Sequence, residues 1–197
     1  MEDEAHRTRV LYRPLEHQVA VGGDAKAPTL TLTLSDRRMS QKPFALVPDH
    51  GKLMHVFLVN ADAPSHFLHL HPERGPGNRY ESKLPDLPAG QYRVYADVTH
   101  ELGFSETLTN TLSIPTALAG ASTLSDPDDG AWQGRLETGS TLTLDGGRTL
   151  QIRIDSPKAG TPAVIEARFQ ETDGSPCTLE PYMRMLGHAV IMRLDGG

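Results

Sequence analysis

The chain has 197 residues, a length that suits one large domain or two small ones. Its net charge is -6, and the sequence contains no stripe of lysine and arginine that would make one region basic, so the composition argues against nucleic-acid binding. The longest apolar runs are short, as at residues 56–59, so no direct membrane insertion is expected. The single cysteine, Cys177, excludes an intrachain disulfide and a cysteine-based zinc cluster.

Strict alternation of apolar and polar residues begins at residues 29–34 (Thr-Leu-Thr-Leu-Thr-Leu), which predicts a half-buried strand. Residues 91–98 predict a second strand. Residues 141–144 and 149–154 predict a hairpin, because Asp-Gly-Gly between them supplies the positive φ angles of a tight turn. Residues 163–169 form the last predicted strand. This pattern indicates an all-β protein, an immunoglobulin-like or cupredoxin-like β-sandwich.

The composition changes at residues 116–134, which are rich in Ser, Ala, Gly and Asp. We interpret residues 1–117 as a first sandwich module, 118–134 as a linker or long loop, and 135–197 as a second module. A long loop between two strands of a single domain is the alternative.

A weak internal repeat supports two tandem modules. With a shift of 133 residues, six of twenty ungapped positions between residues 43 and 62 are identical. The matched pairs are Pro43 with Pro176, Leu46 with Leu179, Pro48 with Pro181, Leu53 with Leu186, His55 with His188 and Asp62 with Asp195. The alternative is chance matching of prolines and leucines. If the repeat is real, the second copy is incomplete at its C-terminal end.

Three histidines form the best candidate site. If residues 55–60 and 66–71 pair as a hairpin, residues whose numbers sum to about 126 face each other. His55 then lies opposite His71, and His69 shares their face because side chains alternate along a strand. Three converging imidazoles predict a metal site, because imidazole suits copper, zinc and nickel. The alternative is that these are structural histidines of the sheet, hydrogen bonded to their neighbours.

Further ligands could come from nearby residues. Met54 and His50 are close in sequence, although Met54 points to the other face if the strand already includes it. His100 and Glu101 follow a strand and could approach from a loop. Asp97 could bind the ion directly or orient an imidazole.

A weaker second site is predicted at Met183, Met185 and His188. Two thioethers beside an imidazole favour Cu(I). Packing roles for the methionines and a structural role for the histidine are the alternatives.

No catalytic motif is present in the sequence: it lacks a Gly-x-Ser-x-Gly elbow, a phosphate-binding glycine loop and His-Glu-x-x-His. Cys177 follows a Gly-Ser-Pro turn without the surroundings of a nucleophile. We therefore expect a binding protein rather than an enzyme.

Residues 48–55 (Pro-Asp-His-Gly-Lys-Leu-Met-His), 67–72 (Phe-Leu-His-Leu-His-Pro) and 87–98 (Leu-Pro-Ala-Gly-Gln-Tyr-Arg-Val-Tyr-Ala-Asp-Val) carry a resemblance. They resemble exported bacterial β-sandwich proteins related to the YtkA-like domain. Residues 182–188 (Tyr-Met-Arg-Met-Leu-Gly-His) match such proteins loosely. The resemblance implies an association with copper handling and points to His55, His69 and His71 as site residues.

The same resemblance implies a β-sandwich in a periplasmic or extracellular protein. With the three histidines, this leads to the hypothesis of a copper carrier, chaperone or sensor, for which a membrane or envelope protein is a candidate partner. The N-terminus shows no basic region followed by an apolar stretch. A cytoplasmic protein, or a leader outside this segment, are the two alternatives. The alternative function is an accessory or adhesive domain that docks to a membrane protein without metal.

Overall fold

The computed structural model describes residues 15–24, 26–35, 45–62, 65–101, 103–134, 139–155 and 157–192. The chain divides into two compact units. The first comprises Met1–Gly134 with Val190–Gly197, and the second comprises Arg135–Ala189. The described residues form strands, turns and two short 3₁₀ segments, which confirms the predicted all-β class.

One sheet of the first unit contains four antiparallel strands. Their order is β1 (Glu16–Asp24), β2 (Ala27–Ser35), β7 (Arg79–Lys83) and β6 (Glu73–Arg74). The predicted alternation at residues 29–34 lies in β2, where the three leucines are buried. Because side chains alternate across a strand, the threonines occupy the other face.

The second sheet of the first unit contains the candidate site. Its order is β10 (Gly130–Gln133), β5 (His66–Leu70), β4 (Met54–Asn60), β8 (Gly90–His100) and β3 (Leu46–Val47). Strand β9 (Ser105–Ile114) also pairs with β8. The predicted strand at residues 91–98 lies within β8.

A single hydrophobic core joins the two sheets. Leu30, Leu32 and Tyr80 of the first sheet belong to the same buried cluster as Leu58 and Val94 of the second. Two sheets that bury their inner faces against each other form a β-sandwich, as the alternation predicts.

The segment at residues 118–134 packs on the first sandwich. Leu118 exchanges two backbone hydrogen bonds with Leu87, and the Ser125 hydroxyl accepts from the Lys83 amide. The segment ends in β10, which pairs antiparallel with β5. The sequence predicts a linker or long loop here, and the structure shows its last residues as an edge strand of the second sheet. The sequence pattern did not predict this strand for two reasons. The segment contains few apolar residues, and four residues are too few for a periodic signal.

The second unit contains a three-stranded antiparallel sheet. Its strands are β11 (Thr141–Thr143), β12 (Thr149–Ile154) and β13 (Ile165–Gln170). The predicted hairpin between β11 and β12 is confirmed, with Gly146 and Gly147 at positive φ. Among the described residues between 176 and 192 there are isolated bridges but no strand, unlike β4 in the first unit. The tandem copy stays a prediction.

Candidate metal centre

The pairing of β4 with β5 places three histidines on one face of the second sheet. Val56 pairs with Leu70 and Phe57 with His69, which confirms the predicted register. Because side chains alternate, Val56 and Leu70 enter the core whereas His55, His69 and His71 project from the other face.

The three imidazoles converge. Ring centroids are 5.4 Å apart for His55 and His69, 5.1 Å for His55 and His71, and 4.5 Å for His69 and His71. One ring nitrogen from each lies within 4.8 Å of the other two. The residues are 4%, 7% and 3% exposed, respectively. Three buried nitrogens at this spacing are arranged as the ligands of one ion would be.

His71 is oriented by a buried carboxylate. Its Nδ1 lies 3.1 Å from Oδ1 of Asp129, and its backbone amide donates to the same oxygen at 2.7 Å. The side chain of Asp129 has 0% exposure, and its Oδ2 accepts from the Asp126 amide. A carboxylate only accepts, so Nδ1 of His71 carries the proton and Nε2 keeps its lone pair in the neutral ring.

Nε2 of His71 is therefore a buried acceptor, and it has no hydrogen-bond partner among the described residues. An unsatisfied buried polar atom costs about 1–3 kcal/mol. A metal ion bound at Nε2 would remove this cost. A histidine that donates its other ring nitrogen to a carboxylate is the usual arrangement of a metal-binding imidazole.

His55 is oriented by a backbone carbonyl. Its Nε2 lies 3.1 Å from the oxygen of Asp49, so Nε2 carries the proton and Nδ1 keeps the lone pair. That Nδ1 lies 3.2 Å from Nε2 of His69, and one proton lies between the two nitrogens. An ion held by both nitrogens would take the place of this proton. The ring of His69 stacks on Phe57, with centroids 4.5 Å apart and planes at 19°.

A loop of aspartates lies behind His71. Lys52 Nζ contacts Asp126 at 2.5 Å and Asp128 at 2.9 Å. Burial alone would raise the pKa of Asp126, but the hydrogen bonds from Lys52 and the Asp128 amide and the charge of Lys52 together lower that pKa. His71, Asp126 and Asp129 also have ligand atoms within 4.8 Å of one another. Because Lys52 and backbone amides already occupy these carboxylates, the loop supports the three-histidine site rather than forming another.

Two residues predicted as further ligands lie outside the histidine group. Met54 is buried in the hydrophobic core, on the face of β4 opposite to His55. His50 lies at φ 49° in a turn, with its ring centroid 6.4 Å from that of His55. Its Nε2 lies 3.4 Å from a carboxylate oxygen of Asp49.

The other predicted ligands make different contacts. Asp97 pairs with His55 across β4 and β8. Its Oδ1 accepts from the Thr107 hydroxyl at 2.6 Å. It lines a cavity of about 190 Å³ together with His55. His100 Nε2 lies 2.9 Å from Glu106. Glu101 is exposed. Among the described residues, the groups of converging ligand atoms do not include Asp97, His100 or Glu101.

The three residues of the predicted second site lie in the second unit. Met183 is buried whereas His188 is exposed, and Met183 and Arg184 both have positive φ. Met185 exchanges backbone hydrogen bonds with Tyr182 in a tight turn. The site at Met183, Met185 and His188 stays a prediction.

The sequence pattern did not indicate Asp129, which orients His71, or Lys52, which contacts the aspartate loop behind His71. The signal was the run Asp-Pro-Asp-Asp-Gly at residues 126–130, in which three carboxylates precede the strand beside β5. Nothing in the sequence pattern indicates which strand this run would meet.

Within the part of the chain that the structure describes, no helix has the length and apolarity of a membrane span. No curated protein and no solved structure is significantly similar to the chain. The sequence model of one family, described as a domain of unknown function (DUF8832), matches residues 15–115. This range covers the whole of β4 and β5, includes His55, His69 and His71, and amounts to just over half of the chain. The chain belongs to the DUF8832 family.

Proposed function

We propose that the first unit binds one transition-metal ion through Nδ1 of His55 and Nε2 of His69 and His71. The observation that supports this most directly is the state of His71. Its Nδ1 is fixed by the buried carboxylate of Asp129, and its Nε2 is buried without a hydrogen-bond partner among the described residues. One ring nitrogen of each of the three histidines lies within 4.8 Å of a ring nitrogen of the other two.

The proposed ion is copper. Imidazole ligands suit copper, zinc and nickel, and among divalent ions a given site binds Cu²⁺ more tightly than Zn²⁺. A soft thioether would favour Cu(I), but Met54 lies in the core and not beside the histidines. The ligand set therefore favours Cu²⁺, with Zn²⁺ as the second choice.

We propose a carrier, chaperone or sensor role in the bacterial cell envelope, with a membrane or envelope protein as partner. The resemblance to exported YtkA-like proteins supports the compartment and the link to copper. The near-complete burial of the three histidines suits retention of an ion more than turnover of a substrate, because catalytic metal sites keep a position open to substrate.

A metal-free accessory domain is the second candidate. The hydrogen bond between His55 and His69 favours it, because two imidazoles that satisfy each other are a self-contained structural pair. The partnerless Nε2 of His71 weighs against it, since a purely structural network would leave that atom unsatisfied.

The test is calorimetric titration of metal-free protein with Cu²⁺ and Zn²⁺, in parallel with the His69→Ala/His71→Ala double variant. His66→Ala is the matched control, because His66 lies on the same strand outside the histidine group. We expect one equivalent of Cu²⁺ at sub-micromolar affinity in the wild type and in His66→Ala. The double variant should lose this binding while keeping the β-sheet circular dichroism spectrum. Equal, weak binding of Cu²⁺ and Zn²⁺ by all three proteins would contradict the proposed metal site and favour the role of a metal-free accessory domain.

A further inference from the structure

Two of the three histidines are oriented by different parts of the chain. The carbonyl of Asp49 holds His55, and the carboxylate of Asp129 holds His71. Asp49 begins a tight turn that ends at Lys52, whereas Asp129 ends the acidic loop 126–129. The spacing of the two ligand nitrogens therefore depends on how this turn and this loop are held together.

The turn is closed by its own backbone hydrogen bonds. Asp49 and Lys52 exchange two backbone hydrogen bonds of 2.8 and 2.9 Å. Both central residues, His50 and Gly51, have positive φ, as in the tightest hairpin turns. The carbonyl oxygen of Asp49 accepts from the Lys52 amide and from Nε2 of His55, using both of its lone pairs.

The loop is closed on itself in the same way. The amide of Asp128 donates to the Asp126 carboxylate, and the amide of Asp126 donates to Oδ2 of Asp129. The amide of Asp129 donates to the carbonyl of Asp126. Any displacement of Asp126 is therefore passed to the carboxylate that orients His71.

One side chain joins the two pieces. The ammonium of Lys52 projects from the turn and contacts both Asp126 and Asp128 of the loop. Lys52 and Asp126 are largely buried, at 16% and 18% exposure, so water screens this pair less than an ordinary surface ion pair. The contact spans 74 residues of sequence.

We infer that Lys52 is a positioning residue of the proposed metal centre and sets the distance between Nδ1 of His55 and Nε2 of His71. The inference rests on the proposed function. Replacing a group that is hydrogen bonded directly to a ligand typically changes metal affinity by 10- to 100-fold, and Lys52 acts on such a group, Asp129, through Asp126. Loss of the ammonium releases the loop from the turn, and the two ligand nitrogens lose their fixed spacing.

The experiment compares Cu²⁺ affinity in the wild type, Lys52→Met, Lys52→Arg and Lys83→Met, all as the full chain. Lys83 is the matched control: it is exposed, its amide contacts the same segment through Ser125, and the substitution removes one positive charge. We expect Lys52→Met to bind Cu²⁺ about 10-fold more weakly, the lower end of the range for a direct partner of a ligand, because Lys52 acts through Asp126 and Asp129. Lys52→Arg should recover most of the affinity, and Lys83→Met should match the wild type.

The electron paramagnetic resonance spectrum of bound Cu²⁺ separates positioning from general destabilisation. Lys52→Met should broaden or shift the copper signal, which a change confined to stability would not do. If Lys52→Met fails to fold, Lys52→Met/Asp126→Asn/Asp128→Asn removes the uncompensated carboxylates and should fold while still binding weakly. Wild-type affinity and spectrum in Lys52→Met, or in the triple variant, would overturn this inference alone. Absence of Cu²⁺ binding by the wild type would overturn the proposed function together with it.

Discussion

Asp129 and His71 form a buried carboxylate–imidazole pair, with 3.1 Å between Oδ1 and Nδ1 and the backbone amide of His71 on the same oxygen. The pair fixes which nitrogen of His71 carries the proton. It also fixes the direction in which Nε2 points. The ligand role of His71 therefore depends on Asp129 as much as on His71 itself.

Asp129→Asn should weaken Cu²⁺ binding about 10- to 100-fold. Both oxygens of Asp129 accept from N–H groups, so an amide NH₂ at either position meets a donor instead of an acceptor. Calorimetric titration measures the change. Asp62→Asn, an exposed aspartate of the same unit, is the control and should bind as the wild type does. Unchanged affinity in Asp129→Asn would show that the pair does not orient a ligand.

Copper binding should quench the fluorescence of Trp132, the single tryptophan of the chain. On β10, Gly130 pairs with His69 and Trp132 pairs with Phe67. Trp132 therefore lies two residues, roughly 7 Å, along the strand from the position that pairs with His69. Paramagnetic Cu²⁺ at this range quenches an indole, whereas Zn²⁺ does not. We expect saturation at one equivalent of Cu²⁺ and loss of the effect in His69→Ala/His71→Ala. Quenching that persists in the double variant would place the copper elsewhere.

Acid should weaken the first unit partly through Asp126. Burial alone would raise its pKa, but the hydrogen bonds from Lys52 and from the Asp128 amide, together with the charge of Lys52, lower the pKa below the ordinary value of 3.8. A carboxyl with a lowered folded pKa stabilises the fold above its unfolded pKa, and this contribution is lost as pH falls through the folded value. Urea unfolding at several pH values between about 5 and 2 measures the loss.

Lys52→Met should weaken this dependence on pH, because it removes the side chain whose hydrogen bond and charge help to lower the pKa of Asp126. Lys83→Met serves as the control for a change in net charge. The same pH dependence in both variants would mean that the Lys52–Asp126 pair contributes nothing measurable to folding.

Leu58→Ala should lower the free energy of unfolding of the first unit by about 2–5 kcal/mol. Leu58 has 0% exposure and lies in the core on the opposite face of β4 from His55. Leu186→Ala is the control, since Leu186 is 68% exposed and should change stability by less than about 0.5 kcal/mol. Urea unfolding followed by Trp132 fluorescence reports the difference. Equal midpoints for the two variants would contradict the two-sheet core.

Alternation, together with the expected hairpin between residues 55–60 and 66–71, predicted the shared face of the three histidines. Strands β4 and β5 are close in sequence, so a short connection fixes their register, and Phe57 opposite His69 follows from it. The same reasoning placed Met54 on the other face. The predicted strands in residues 29–34 and 91–98 were clear because each buries one face against the core.

The contacts that orient His71 and hold the aspartate loop could not be predicted from local sequence patterns. Asp129 meets His71 across 58 residues, and Lys52 meets Asp126 across 74. These contacts depend on β10 adding to the edge of β5, a pairing that four exposed residues do not signal. A proline- and aspartate-rich run indicates a loop but not its neighbour.

X-ray absorption spectroscopy of the copper-loaded full chain tests the central claim most directly, because it identifies the atoms bound to the ion. Three imidazole nitrogens and no sulfur, with one imidazole lost in His71→Ala, is the result expected from the cluster of His55, His69 and His71. A spectrum with sulfur ligands, or one that is unchanged in His71→Ala, would contradict a metal centre at these three histidines.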